Sequence, residues 1–113
     1  MQVVKINPNG LNQIMKRNSV TLFYADWCGY CQKLKPHYQE FAEQLHKINP
    51  TIKVTAIDMD KYGDEIKGSQ TGLERYGRSI GDDIKGYPTI MFFDKSKGRM
   101  VYSGNRDASS LMK

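Results

Sequence analysis

Phe23-Tyr24-Ala25-Asp26-Trp27-Cys28-Gly29-Tyr30-Cys31 joins two different patterns. Before it, Val20 to Ala25 is a run of β-branched and aromatic residues that reads as a buried strand. After it, Leu34, Tyr38, Phe41, Leu45 and Ile48 recur three or four residues apart and make one apolar face of a long helix. Pro36 falls inside that helix, where it removes a donor and should bend the axis, and Asn49-Pro50 ends it. The only two cysteines of the chain therefore stand where a strand turns into a helix.

That position carries chemistry. A thiol at a helix N-terminus meets unpaired backbone N–H groups and the positive end of the macrodipole. Both favour a thiolate, so the Cys28 pKa is expected to fall from about 8.5 toward about 7. Cys31 lies one turn further on the same side, within disulfide reach, and Gly29 leaves access open. Cys28 is expected to attack a substrate disulfide and Cys31 to resolve the mixed disulfide. The plain alternative is two buried cysteines with no chemistry. Two cysteines are too few for a disulfide-stapled scaffold or a cysteine-only zinc site. His37 and His46 follow on the same helix as solvent-facing residues and complete no zinc set, and no residue marks a base for a Cys–His hydrolase. No metal is expected, and no cofactor beyond a redox-active Cys28–Cys31 disulfide.

Working outward, Val3 to Ile6 reads as a short strand, Asn7 to Gly10 as a turn, and residues 11 to 18 as a short amphipathic helix. Ile52 to Ile57 is another strand. Thr89 to Phe93 and Arg99 to Ser103 read as a hairpin around a turn at Lys95 to Gly98. Asp107 can cap a final helix that is cut off at Lys113. Met59 to Gly86 holds six of the ten glycines, which repeatedly break helix propensity; a helix is expected only around Thr71 to Tyr76. The order predicts an α/β chain with a mixed central sheet: helical crossovers make the first strands parallel, and the hairpin adds an antiparallel pair.

The chain has 113 residues, 39% hydrophobic and 26% charged, which fits one compact domain over residues 1–113. Lys and Arg outnumber Asp and Glu by 17 to 12, a net charge of +5. Residues 1–50 carry six basic and three acidic side chains, and residues 51–113 carry eleven and nine. No like-charge block forms, which argues against a nucleic-acid partner. No apolar run approaches the ~18 residues of a membrane span. The N-terminus lacks an apolar stretch of signal-peptide length, so the chain as written is expected in the cytoplasm. A fragment of a longer protein would instead suit the lumen of the endoplasmic reticulum.

Phe23 to Cys31 resembles the active-site segment of the thioredoxin superfamily, and Phe-Tyr-Ala before Trp-Cys is most like a single catalytic domain of the protein disulfide isomerases. Leu34, Pro36 and Tyr38 resemble the active-site helix of that group. Gly86-Tyr87-Pro88-Thr89-Ile90 resembles its cis-proline loop, and Tyr102-Ser103-Gly104-Asn105-Arg106 its pattern after the last strand. The resemblance implies the thioredoxin fold, a mixed central β-sheet flanked by helices on both faces. It implies a thiol–disulfide oxidoreductase, with Cys28 as nucleophile, Cys31 as resolving thiol and Arg106 stabilising the Cys31 thiolate. It places Trp27, Gly29, Tyr30, Tyr87 and a cis Pro88 at the substrate surface, with the Tyr87 backbone pairing to an extended chain. The implied partners are cysteine-containing protein substrates and a reductase, an oxidase or the glutathione pool, for a monomeric protein.

Three departures qualify that expectation. The family's buried carboxylate, six residues before the first cysteine, is replaced by Leu22, and Val54 stands nearest the place of its lysine partner. The dipeptide between the cysteines is Gly29-Tyr30, neither the Gly-Pro of reducing thioredoxins nor the Gly-His of disulfide isomerases. A histidine there would favour the reduced form, so its absence predicts a less oxidising pair. Within residues 59–86 the chain is about a dozen residues longer than a minimal thioredoxin, read as a surface insertion. Two function classes remain: the enzyme, and a peptide-binding module of the same fold with weak redox activity. A glutaredoxin-like use of glutathione is a third, supported only by Tyr30 before the second cysteine.

Overall fold

The computed structural model describes residues 3–68, 84, 86–94 and 98–102. Five strands form one sheet in the order β1-β3-β2-β4-β5. These are β1 (Val4–Ile6), β2 (Ser19–Tyr24), β3 (Lys53–Asp58), β4 (Thr89–Asp94) and β5 (Gly98–Val101). β3 runs parallel to both β1 and β2, while β2–β4 and β4–β5 are antiparallel. The mixed sheet expected from the element order is therefore present.

Because side chains alternate across a strand, β2 feeds two cores. Val20, Leu22 and Tyr24 point to one face and pack with Val54, Ala56 and Ile90 against Leu34, Tyr38, Phe41 and Ala42 of α2 (Gly29–Ile48). Phe23, Ile57, Met91 and Phe93 point to the other face and meet Leu11 and Ile14 of α1 (Pro8–Ile14) and Met59 and Ile66 of α3 (Met59–Gly68). Every β2 residue is buried, as its continuous apolar and hydroxyl run requires. The hydroxyls inside are satisfied locally: Thr21 and Thr55 bond each other at 2.9 Å, and the Tyr38 hydroxyl donates to the Thr55 carbonyl at 2.7 Å.

Helix α1 begins earlier and ends earlier than its apolar spacing suggests. Asn7 caps it, its side chain accepting from the Gly10 N–H at 2.9 Å, and Pro8 occupies the first turn, where a missing N–H costs nothing. The expected turn at residues 8–10 is thus the first turn of the helix. Helix α3 was not expected at all. Asp58 starts it by accepting from the Asp60 and Lys61 N–H groups at 2.9 and 3.4 Å. Met59, Gly63 and Ile66 form its buried stripe, so Gly63 interrupts the propensity pattern without interrupting the packing. The expected helix at Thr71 to Tyr76, the remainder of the insertion read within 59–86, the turn at 95–97, the final helix from Asp107 and Arg106 lie outside the described residues.

Candidate functional site

The site forms at the C-terminal end of β2. The chain leaves the sheet at Ala25, turns through Asp26 and Trp27, and enters α2 at Gly29. Cys28 is the N-cap, with extended backbone, and its sulfur accepts the Cys31 N–H at 3.4 Å. The sulfur therefore occupies the place of a capping oxygen, at one of the orphan donors of the first turn. Negative charge there is favoured by that N–H and by the helix macrodipole. Across from it the Cys28 thiol donates to the Tyr87 carbonyl at 3.5 Å. The two cysteines are thiols, not a disulfide.

Their environments differ in the direction expected. Cys28 is 6% exposed and Cys31 fully enclosed, both in the core cluster that includes Leu22. The Cys31 thiol is raised from its ordinary value near 9 to about 11, chiefly by burial and also by Cys28, with an Ala25 backbone hydrogen bond and the Lys35 charge opposing the rise. Cys28 is thus the slightly exposed sulfur, and burial keeps the enclosed Cys31 protonated.

Leu22 is buried and registered opposite Ala56 on β3. Val54, which stands nearest the place of the family's lysine, pairs with Val20 and lies in the same core cluster as Leu22. Leu22, Val54 and Ala56 are all aliphatic, so neither a carboxylate nor a lysine stands beneath the cysteines at these positions.

The Tyr87–Pro88 peptide bond is cis, as the resemblance implied. Pro88 is buried, and Tyr87 is half-buried against both cores. Trp27 is 70% exposed and Tyr30 71% exposed, on either side of Cys28 in the chain. The Trp27 ring is nonetheless fixed: the indole N–H donates to Asp60 Oδ1 at 2.6 Å, and the ring meets Tyr87 edge-on at 6.0 Å. A methyl built on Gly29 would meet nothing within 4 Å, so the space beside Gly29 is open. Lys33 sits over the Tyr30 ring at 5.9 Å.

Several contributors escaped the sequence reading. Asp60 and Gly63 lie in the unexpected helix; the first holds Trp27, and the second leaves room beside the Tyr87 hydroxyl, 3.9 Å from where its Cβ would be. Gln32 donates to the Asp26 carbonyl at 2.8 Å, and Lys35 bridges the Asp26 carboxylate at 3.2 Å. The i+1 and i+4 spacing from Cys31 was the available signal for these two. His37 and His46 are exposed on α2, and among the described residues no group of three or more His, Cys, Asp or Glu can hold a metal. Among the described residues no helix is long and apolar enough to cross a membrane.

Comparison with known proteins fits this geometry. The Thioredoxin family matches over residues 2–113. A mitochondrial thioredoxin domain-containing protein of Schizosaccharomyces pombe is 34% identical over 97% of this chain and 28% of its own length. The protein disulfide-isomerase of Saccharomyces cerevisiae is 31% identical over 97% of this chain and 19% of its own length. Among solved structures, a crystal structure of ERdj5 superposes with a TM-score of 0.75 at 26% identity, covering 97% of this chain and 14% of that one. The chain spans less than a third of each of these relatives.

Proposed function

The chain belongs to the thioredoxin family, and from that premise we propose that it is a thiol–disulfide oxidoreductase acting on cysteine-containing proteins. The observation that carries the reading is the sulfur of Cys28 in the N-cap of α2, accepting the Cys31 N–H at the open end of the sheet. As a thiolate, Cys28 attacks one sulfur of a substrate disulfide, and the other substrate sulfur leaves with the electron pair. Cys31, after giving its proton to solvent, attacks the Cys28 sulfur. The second substrate thiol departs and the Cys28–Cys31 disulfide remains; the reverse sequence oxidises a substrate dithiol.

The exposed rings of Trp27 and Tyr30 and the open space at Gly29 support a substrate surface around Cys28. The Tyr87 carbonyl, beside the same sulfur, suits backbone pairing with an extended substrate. Regeneration falls to a reductase, an oxidase or the glutathione pool. Likeness to protein disulfide-isomerases favours a disulfide-forming compartment, the lumen of the endoplasmic reticulum, and the fission-yeast relative makes mitochondria the second choice. Imaging the full-length protein with a neutral tag separates them.

Insulin-disulfide reduction tests the chemistry. Cys28→Ser should abolish turnover, and Cys31→Ser should accumulate a mixed disulfide through Cys28. Persistent reduction by Cys28→Ser would end the enzymatic reading. A peptide-binding module is the second reading, favoured by the aliphatic Leu22–Ala56 pair beneath the cysteines. It predicts that Cys28→Ser retains full affinity for an unfolded cysteine-free peptide while wild-type turnover is negligible.

A further inference from the structure

The proton of Cys31 has no carboxylate to receive it at Leu22, and burial holds that proton tightly. Cys31 must nevertheless become a thiolate for the mixed disulfide to resolve. Beside the Ala25 backbone hydrogen bond, a nearby cation favours that form.

Lys35 follows Cys31 by four residues on α2, so the two share a helix face about 6 Å apart at Cβ. Helical side chains lean toward the N-terminus, which carries the lysine back over the turn that holds Cys31. Two contacts fix it there. Its ammonium lies 5.1 Å from the centre of the Tyr24 ring and 3.2 Å from Asp26 Oδ1. Tyr24 is buried in the same core cluster as Cys31 and Leu22. The lysine thus spans the edge of the compartment that encloses the resolving thiol.

Among the described residues, the charged and titratable groups here come from each neighbouring element. α2 supplies Cys28 and Lys35; the end of β2 and the turn after it supply Tyr24 and Asp26. Asp58 of β3 acts on Tyr24, and Asp60 of α3 is engaged by the Trp27 indole. Of the side chains acting on Cys31, Cys28 opposes its ionisation and Lys35 favours it.

We propose that Lys35 is a positioning residue for the resolving step, its ammonium held over Tyr24 by Asp26 so that the Cys31 thiolate is favoured. The proposal rests on the oxidoreductase reading above. In the balanced step, the Cys31 proton passes to solvent, the Cys31 sulfur bonds to Cys28, and the departing thiolate takes the electron pair. Lys35 exchanges no proton and only shifts the thiolate fraction. At neutral pH that fraction follows the acid constant directly, while nucleophilicity falls with pKa by a slope of about 0.5. A tenfold change in acid constant therefore changes the resolving rate about threefold.

The test uses the reduced protein and the aryl disulfide 5,5′-dithiobis(2-nitrobenzoate) in a stopped-flow instrument. The first thionitrobenzoate release reports attack by Cys28, and the second reports resolution by Cys31. Lys35→Met should slow the second phase, by at most about threefold, and move its pH–rate profile to higher pH. Lys35→Arg should restore both, and ~0.5 M salt should narrow the gap between wild type and Lys35→Met. A second phase in Lys35→Met with the wild-type rate and profile overturns the proposal. So does equal slowing in the Met and Arg variants, which would make the lysine a packing residue over Tyr24. Absence of any second phase in the wild type would instead overturn the oxidoreductase reading beneath it.

Discussion

Cys31 owes its reluctance to ionise to burial, and this has a measurable thermodynamic consequence. Folding raises its pKa to about 11, against about 8.5 for an unfolded cysteine. Between those values the folded dithiol keeps a proton that the unfolded chain has lost. The stability it contributes is therefore complete below about pH 8.5 and declines as pH rises toward 11. Cys31→Ser has no ionisation in this range, so the stability of the reduced wild type in urea denaturation should fall more steeply from pH 8 to pH 10 than that of the variant. Parallel curves would contradict the assignment. Leu22 gives a second handle. Leu22→Glu should restore a proton acceptor near Cys31 and speed decay of the mixed disulfide on the order of tenfold, while burying a carboxyl beside Ala56 should lower stability by about 2–5 kcal/mol. An unchanged decay rate would remove proton acceptance from the account. At this scale the sequence displayed the cysteines and Leu22 plainly, because their spacing is local. It did not display which β3 residue faces Leu22, because strand register is fixed by pairing across the sheet: Val54 lies opposite Val20, and Ala56 opposite Leu22.

Helix α3 shows how an element hides behind one residue. Gly63 falls in its middle, where glycine weakens a helix by about 1 kcal/mol relative to alanine. The packing of Met59 and Ile66 against the second core, and Asp58 at its start, compensate through contacts that no local pattern displays. A methyl on Gly63 would stand 3.8 Å from Met59 and 3.9 Å from the Tyr87 hydroxyl, ordinary contact distances. Gly63→Ala should therefore raise stability by about 0.5–1 kcal/mol in urea denaturation. A loss of stability would mean that the helix packs more tightly against Met59 and Tyr87 than these distances allow. Through Asp60 this helix also holds Trp27, so a segment that reads as a glycine-rich loop belongs to the rim of the site. By contrast β2 and α2 were legible throughout: one is a continuous buried run, and the other repeats its apolar face over 20 residues.

Across the whole molecule, the sheet places everything else. β2 lies at its centre, between β3 and β4, and delivers the cysteines at one end of it. β4 begins at Thr89, directly after Tyr87 and Pro88, and pairs with β2, which brings that loop beside Cys28. This convergence of residues some sixty apart in sequence was readable only through the family resemblance, not through spacing. The net charge of +5 has no part in it. Under the proposed function, Cys28 and Cys31 form one reversible redox pair, less oxidising than a disulfide isomerase because Tyr30 supplies no cation between them. Equilibration of the protein in glutathione redox buffers, followed by acid quench, thiol alkylation and mass analysis, measures this directly. The expected result is a single two-electron transition, both thiols vanishing together, at a potential clearly below about −180 mV. Independent modification of the two cysteines, or a transition at or above about −180 mV, would contradict it.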